Sequence, residues 1–157
     1  MVHPTISYRS YTPEDKDRLV EIFRSNCPKY FDPADEEEFI DFLDNYTDEN
    51  YLVAFSNGII VGCGGHYRKG EMYGIAWGMF ESGSIGSRRI LQVADDFYYA
   101  MEGKILAENT GYPIRINTTQ LMEKMFNRYG FKTYEILLDG FGNGLDEYRM
   151  EKRFSQD

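Results

Sequence analysis

The stretch from Met72 to Leu91 constrains this chain of 157 residues more than any other. Met72 to Phe80 has the apolar and aromatic content of a strand. Gly83 and Gly86 interrupt it, and from Ser87 to about Asn109 the residues Ile90, Ala94, Phe97, Tyr98, Met101 and Ile105 recur at helical spacing until Gly111 and Pro113 stop them. A strand that turns through glycines into a long helix has the outline of a phosphate cradle. Small residues let backbone N–H groups approach an anion, and the first helical turn adds unpaired donors and partial positive charge. Gly86, Ser87, Arg88 and Arg89 stand together at that helix start, although an ordinary tight turn would carry the same residues.

The flanking pattern sets this unit inside a sheet. Ile6 to Tyr11 alternates as a strand, and Thr12-Pro-Glu-Asp supplies an N-cap, a proline at N1 and acidic first-turn residues, so a helix is predicted from Pro13, ending before Pro28. Asp35 to Tyr46 reads as a second helix striped by Phe39, Phe42, Leu43 and Tyr46, with Glu36, Glu37 and Glu38 as a solvated first turn rather than a metal cluster. Asn50 to Phe55 and Ile59 to Arg68 are strands joined through Asn57-Gly58, and Met72 to Phe80 makes three antiparallel strands in a row. Tyr112 to Asn117 is a strand, Thr119 to Tyr129 a helix closed by Gly130, and Phe131 to Leu138 a strand; past a glycine-rich turn, Leu145 to Phe154 is the last strand. The expectation is a single α/β (α+β) domain over 1–157, with a central mixed, mostly antiparallel sheet of about seven strands and about four helices on its faces.

Charge and cysteine usage remove several classes. A formal net charge of −9 opposes nonspecific binding to nucleic acid or an anionic membrane and is compatible with an amine-bearing partner. No apolar run approaches the roughly 20 residues of a membrane span, and the first residues lack a signal-peptide pattern, so a cytoplasmic protein is expected. Cys27 and Cys63 have no Cys or His neighbour at ligand spacing, so no metal site is expected.

The element order, the strand ending in the central glycine loop, and the late helix closing on Tyr129-Gly-Phe resemble the GNAT superfamily of acyl-CoA-dependent N-acetyltransferases over nearly the whole chain. Trp77-Gly-Met, Asn57-Gly-Ile-Ile-Val-Gly-Cys-Gly-Gly and Asp139-Gly-Phe-Gly-Asn-Gly-Leu-Asp-Glu-Tyr look like a bacterial subgroup of small members. The family signature Gln/Arg-x-x-Gly-x-Gly/Ala holds the CoA pyrophosphate. With its second glycine set on Gly86, Glu81 falls at the Gln/Arg position and Ser84 at the first glycine. These are departures: a carboxylate there repels a pyrophosphate, and Ser84 brings a Cβ to a position where φ > 0 is expected.

The resemblance implies acetyl-CoA as cofactor. Its contacts would be Met79, Phe80, Gly83, Ser84, Ile85, Gly86, Ser87 and Arg88 along the strand end and loop, and Asn117, Thr119 and Phe126 from the later strand and helix. Capping explains Thr119 equally well. The backbone N–H at Phe80 would polarise the thioester carbonyl. The family's tyrosine acid falls in register on Phe126, and Tyr129 lies about 60° further round the helix.

For the acceptor, His66 is the base candidate, since its ordinary pKa of about 6.5 suits proton uptake near neutrality; a merely hydrogen-bonded histidine is the alternative. Glu71 and Glu81 are weaker candidates, and His3, close to the N-terminus, has little claim. Tyr30 and Phe31 correspond to the family's acceptor pocket with Trp77 as floor, unless they serve the core. By period-two alternation, Gly74, Ala76 and Gly78 share one face, opposite Tyr73, Ile75, Trp77 and Met79, leaving room for an acyl-pantetheine arm or a packed helix. The expected function is transfer of acetyl from acetyl-CoA to a primary amine of a small molecule or protein, directly in a ternary complex and without metal. The alternative is a catalytically silent module of the same fold that binds a partner or an acyl-CoA without turnover. A homodimer is compatible with either.

Overall fold

A computed structural model describes residues 6–154; His3 and the side chains of Ser87 and Arg88 lie outside the described residues. The elements are β1 (Ile6–Ser10), α1 (Lys16–Ser25), α2 (Glu36–Asn45), β2 (Tyr51–Ser56), β3 (Ile59–Lys69), β4 (Met72–Phe80), α3 (Ser87–Ala107), β5 (Ile114–Thr118), α4 (Glu123–Arg128), β6 (Lys132–Gly142) and β7 (Leu145–Lys152). They form one seven-stranded sheet in the order β1-β2-β3-β4-β5-β7-β6. Every neighbouring pair is antiparallel except β4 and β5, which the crossover helix α3 makes parallel. Among the described residues no helix is long and apolar enough to cross a membrane.

Local chemistry accounts for the boundaries that differ from the sequence reading. Pro13–Asp15 is a 3-10 turn ahead of α1, because the Lys16 N–H bonds to the Pro13 carbonyl. Asp15 anchors this entry, accepting from the Thr12 N–H at 3.0 Å and from two nitrogens of Arg9 on β1 at 2.7 and 2.8 Å. Residues 119–122 form a turn rather than the start of α4, since Thr119 spends its hydroxyl on the Leu121 N–H and its carbonyl on the Met122 N–H. The last hairpin is longer than expected, with β6 running on through Gly140 to Gly142.

Both faces of the sheet are covered over its first half. α1 and α2 lay Leu19, Ile22, Phe23, Phe39 and Leu43 on Tyr51, Val53, Cys63 and Met79. On the opposite face α3 packs Phe97 and Met101 on Leu52 and Ala54, and Tyr98 and Ile105 on Tyr73, Ile114, Ile116 and Met150. Alternate residues of β2 serve alternate faces, which is why Tyr51 to Ala54 are all buried.

β4 departs from regular alternation. Its register with β3 pairs Gly65 with Ala76 and Cys63 with Met79, so Gly64 alone faces Trp77 and Gly78, and Trp77 sits at a φ of 43°. This β-bulge shifts the phase of the strand. Ala76, Trp77 and Met79 consequently all join the α1–α2 cluster, whereas Ile75 and Phe80 pack on the α3 side. The expected stripe of Gly74, Ala76 and Gly78 on one face is therefore not formed. From Ile75 onward β4 also has no strand neighbour on its far edge among the described residues: β5 pairs only Ile114 with Tyr73 and Arg115 with Gly74, and the two strands then part.

Candidate functional site

The parting of β4 and β5 opens a wedge along one edge of β4 from Ile75 to Phe80. Backbone direction at its far end follows from one hydrogen bond. The Glu81 N–H donates to the Val61 carbonyl on β3 at 2.8 Å, so the Phe80 N–H, one residue earlier in the strand, points away from β3 toward the wedge. Two carbonyls of this strand are held by side chains. Asn26 at the end of α1 donates to the Phe80 carbonyl at 2.8 Å, and Tyr51 donates its hydroxyl to the Trp77 carbonyl at 3.0 Å. The Cys63 thiol, whose pKa burial pushes up to about 12, also donates to the Trp77 carbonyl, at 3.6 Å.

The loop between β4 and α3 is built differently from its sequence register. The Glu81 carboxylate turns away into a two-point pair with Arg18 of α1, accepting at 2.8 and 2.9 Å, and this partner lowers its pKa. Arg18 also donates to the Ile60 carbonyl at 3.2 and 2.9 Å, and the Ser82 N–H donates to the Ser25 hydroxyl at 3.1 Å, so the loop is tied to α1 and β3. The left-handed position belongs to Gly83, at a φ of 81°, and Ser84 is not among the residues of positive φ. Ser84 closes the turn by donating its hydroxyl to the Glu81 carbonyl at 2.9 Å. Gly86 is the N-cap of α3 and offers no side chain to cap it; its carbonyl accepts from the Arg89 and Ile90 N–H groups, and half-buried Ile85 and exposed Gly86 stand beside the helix start. Both departures from the signature thus lose their physical objection: the carboxylate is paired elsewhere, and the serine needs no left-handed backbone.

At the other end, where the strands part, lies a cleft of about 260 Å³ bordered by Met72, Ile75 and Ile116 and by the polar side chains of Tyr67, Arg115, Asn117, Tyr134 and Arg149. Asn117 was expected beside the cofactor and stands on this cleft. A second cleft, of about 410 Å³, lies between the α1–α2 connection and the β6–β7 hairpin, walled by Asp32, Asp35, Glu38 and Glu147. Here burial, with Glu38 and Asp32 adding like charge, raises the Asp35 pKa. The hairpin seats tightly against the connection, since a Cβ on Gly142 would collide with the Asp32 carboxylate.

Other expected site residues lie elsewhere. His66 is buried on β3 under the C-terminal end of α3, with Nε2 3.7 Å from Glu108. Gly86 and Glu108 cap opposite ends of that helix, roughly 30 Å apart at 1.5 Å per residue, so His66 does not share the wedge with the loop. Burial lowers its pKa. Trp77 and Phe31 do meet, at a ring separation of 5.9 Å, but both are half-buried and pack with Phe23 and Phe39 against the core; Tyr30 stacks under Lys29, and neither cleft is lined by these three. Phe126 packs edge-on against Tyr129 and Phe131 at 5.8 and 5.5 Å. Tyr129 is buried, stacked on Tyr98 at 4.3 Å and donating to Asp95 at 2.6 Å; burial and that hydrogen bond raise its pKa. Thr119 caps its own turn. Arg18, Asn26, Arg115 and Arg149 escaped the sequence reading, because each acts through partners distant in the chain.

No family sequence model and no curated protein sequence matches the chain. Solved structures match its fold. Ard1 from Thermoplasma volcanium superposes with a TM-score of 0.72 at 15% identity, covering 96% of this chain and 99% of its own. An aminoglycoside 6'-N-acetyltransferase complexed with coenzyme A gives 0.69 at 19% identity over 98% and 99% of the two chains. The NatC complex bound to Gag peptide and CoA gives 0.69 at 16% identity over 96% and 99%. The chain therefore has the fold of the GNAT acetyltransferases, as its element order implied.

Proposed function

We propose that this protein is an N-acetyltransferase that moves acetyl from acetyl-CoA to a primary amine of a small molecule or protein, by direct transfer within a ternary complex. The observation that carries the reading is the wedge itself: the edge of β4 from Ile75 to Phe80 is left without a strand, with an uncapped helix N-terminus at one end and a cleft at the other. An acyl-pantetheine arm needs such a slot. The neighbours complexed with CoA support a CoA-type ligand for this fold.

Acetyl-CoA, when bound, supplies an acetyl group activated as a thioester. The residues present fit it, because the pairing of Glu81 with Arg18 removes the charge that would repel a pyrophosphate, and the N–H groups at the start of α3 have no side-chain cap. Gly83 to Arg88 would hold the pyrophosphate, and the Phe80 N–H would donate to the thioester oxygen as negative charge develops there. The amine, brought into the wedge beside the Phe80 N–H, would form the new N–C bond while the C–S bond breaks; its proton would go to solvent, and the departing sulfur would take one from water. Water has this role because Phe126 has no hydroxyl and Tyr129 spends its own on Asp95. The whole chain would act as one domain in the cytoplasm.

Phe126 and Tyr129 also favour the second reading, a silent module that binds acyl-CoA without turnover. Native mass spectrometry for co-purified CoA, followed by thiol release from acetyl-CoA with a panel of amines, decides between them. Binding with acetylated product is expected; binding without thiol release from any amine establishes the silent module, and no thermal shift with millimolar CoA removes both. Gly86→Glu, at a position with open space around it, should abolish CoA binding while the fold persists.

A further inference from the structure

The sheet ends in two free edges, β1 and β6, and they differ. β1 is five residues long; its Ser7, Arg9 and Ser10 are exposed, while Ile6 and Tyr8 pack on the α3 side. A short edge carrying a charge is poorly suited to pairing with another chain. β6 runs eleven residues without a proline, and its Tyr134, Ile136, Leu137 and Leu138 are all exposed, Leu138 at 82%. Only β7 pairs with it, so alternate residues turn their N–H and C=O groups outward along the free side. Glu135 and Leu137 oppose Arg149 and Glu147 and share the face of the two clefts, whereas Thr133 and Ile136 oppose Met150 and Tyr148, which pack toward α3. Tyr134 is the extra residue of a bulge, since Thr133 and Glu135 take consecutive partners on β7. Charge is set at the two ends of this segment. Lys132 has no ion pair among the described residues, and Asp139, which accepts from the Gly144 N–H at 2.8 Å, has no cationic partner among them. Between these two, Glu135 is already paired with Arg149 at 2.8 Å.

We propose that β6 pairs antiparallel with β6 of a second copy of this chain, about a two-fold axis at Ile136, joining the two seven-stranded sheets into one. The pairing holds whether or not the chain transfers acetyl. An antiparallel pair of identical strands is self-complementary, so each contact on one side of the axis recurs on the other. With Ile136 against its own counterpart, Glu135 opposes Leu137 of the second copy. If Tyr134 bulges out as it already does against β7, Thr133 then opposes Leu138, and Lys132 opposes Asp139. The two charges that one chain leaves without a charged partner thus meet twice, once at each end. A strand of another protein would have to bring this order of charges; a second copy brings it by symmetry. Pairing removes Ile136 and Leu138 from water and satisfies the outward N–H and C=O groups. The edge between Lys132 and Asp139 presents no unpaired charge, so the formal −9 of each copy is not concentrated where the copies meet.

Sedimentation equilibrium of the full chain at micromolar concentration tests this. A closed pair of twice the 18.3 kDa chain is expected, with no heavier species, because pairing uses the β6 edge of both copies. Ile136→Asp sets two carboxylates against each other at the axis and should weaken the pair about a hundredfold or more. Its circular dichroism should match the parent, since Ile136 is 47% exposed. Lys132→Asp and Asp139→Lys each place like charges at both ends and should each weaken self-association about tenfold. Mixed, the two variants regain opposite charges at both ends and should pair with each other in preference to themselves. Should Asp139→Lys not fold, Ile136→Cys reads the register instead: air oxidation should give a covalent dimer through Cys side chains that face each other at the axis, in excess of any formed by the parent. A monomeric parent would leave the edge to a strand of some other chain and overturn the proposal. So would a dimer that survives Ile136→Asp, a species heavier than a pair, charge variants that show no preference for each other, or an Ile136→Cys chain that forms no more covalent dimer than the parent.

Discussion

One face and one edge of β4 teach different lessons about the same strand. On the α1–α2 face its bulge pushes Trp77 among Phe23, Phe31 and Phe39, with ring centroids 5.0–6.3 Å away, packed against the core. On the edge facing β5 there is no partner beyond Gly74, and the nearby side chains are polar and partly exposed, Arg115 at 45% and Arg149 at 38%. The rings around Trp77 therefore mark the filled side of this strand. Its site is what the backbone leaves open, furnished by residues that look like ordinary surface.

That contrast can be broken from either side. Trp77→Ala, in the closed cluster, is expected to cost about 3–5 kcal/mol in urea unfolding; a loss below about 1 kcal/mol would mean that the cluster is not packed shut. Arg18→Ala leaves Glu81 without its partner beside the loop. A tenfold or larger weakening of CoA binding is expected by calorimetry, with about 1 kcal/mol of stability lost, and adding Glu81→Gln should restore the affinity; no restoration would separate Glu81 from the cofactor. His66 gives a smaller, pH-dependent effect. Burial lowers its pKa, so below the unfolded value of about 6.5 the unfolded chain binds more protons and stability falls as pH drops. A Tm series from pH 7.5 to 5 should be flatter in His66→Gln than in the parent, with the same transfer rate at pH 7.5 if His66 is no base. Smallest of all, Asn117→Ala at the open edge should leave unfolding within about 0.5 kcal/mol of the parent while lowering transfer; a large stability loss would mean that this edge is packed after all.

Much of the fold could be read in the sequence, since it lies in local signals. Met72 to Phe80 is β4 to the residue, the Asn57-Gly58 turn joins β2 to β3, and Ser87 opens α3. The bulge could not be read, because Trp77 at positive φ is a bulky residue where a glycine would have announced itself. The site was half legible. The turn from β4 into α3 could be read, but what neutralises Glu81 is an arginine on α1, and which arginines line the cleft depends on β5 and β7 pairing residues 30 to 38 apart in the sequence. The three aromatic residues offered as a pocket were a reasonable reading of composition, and hydrophobic burial claimed two of them for the core.

The sheet order carries a consequence for how the molecule comes into being. β1 to β4 add to one another antiparallel, β2 to β4 through short hairpins, whereas β5 touches β4 through two residue pairs and finds its long neighbour only in β7, the final strand. Closing contacts between distant segments carries a loop entropy that local hairpins avoid. A chain still emerging from the ribosome can thus assemble the β4–α3 loop and the edge of β4 early, yet it has no Arg149, no seat for Gly142 on Asp32 and no completed cleft beside Arg115 until its last strand slides between β5 and β6. The cleft beside β4 is thus the last feature of this fold to be completed.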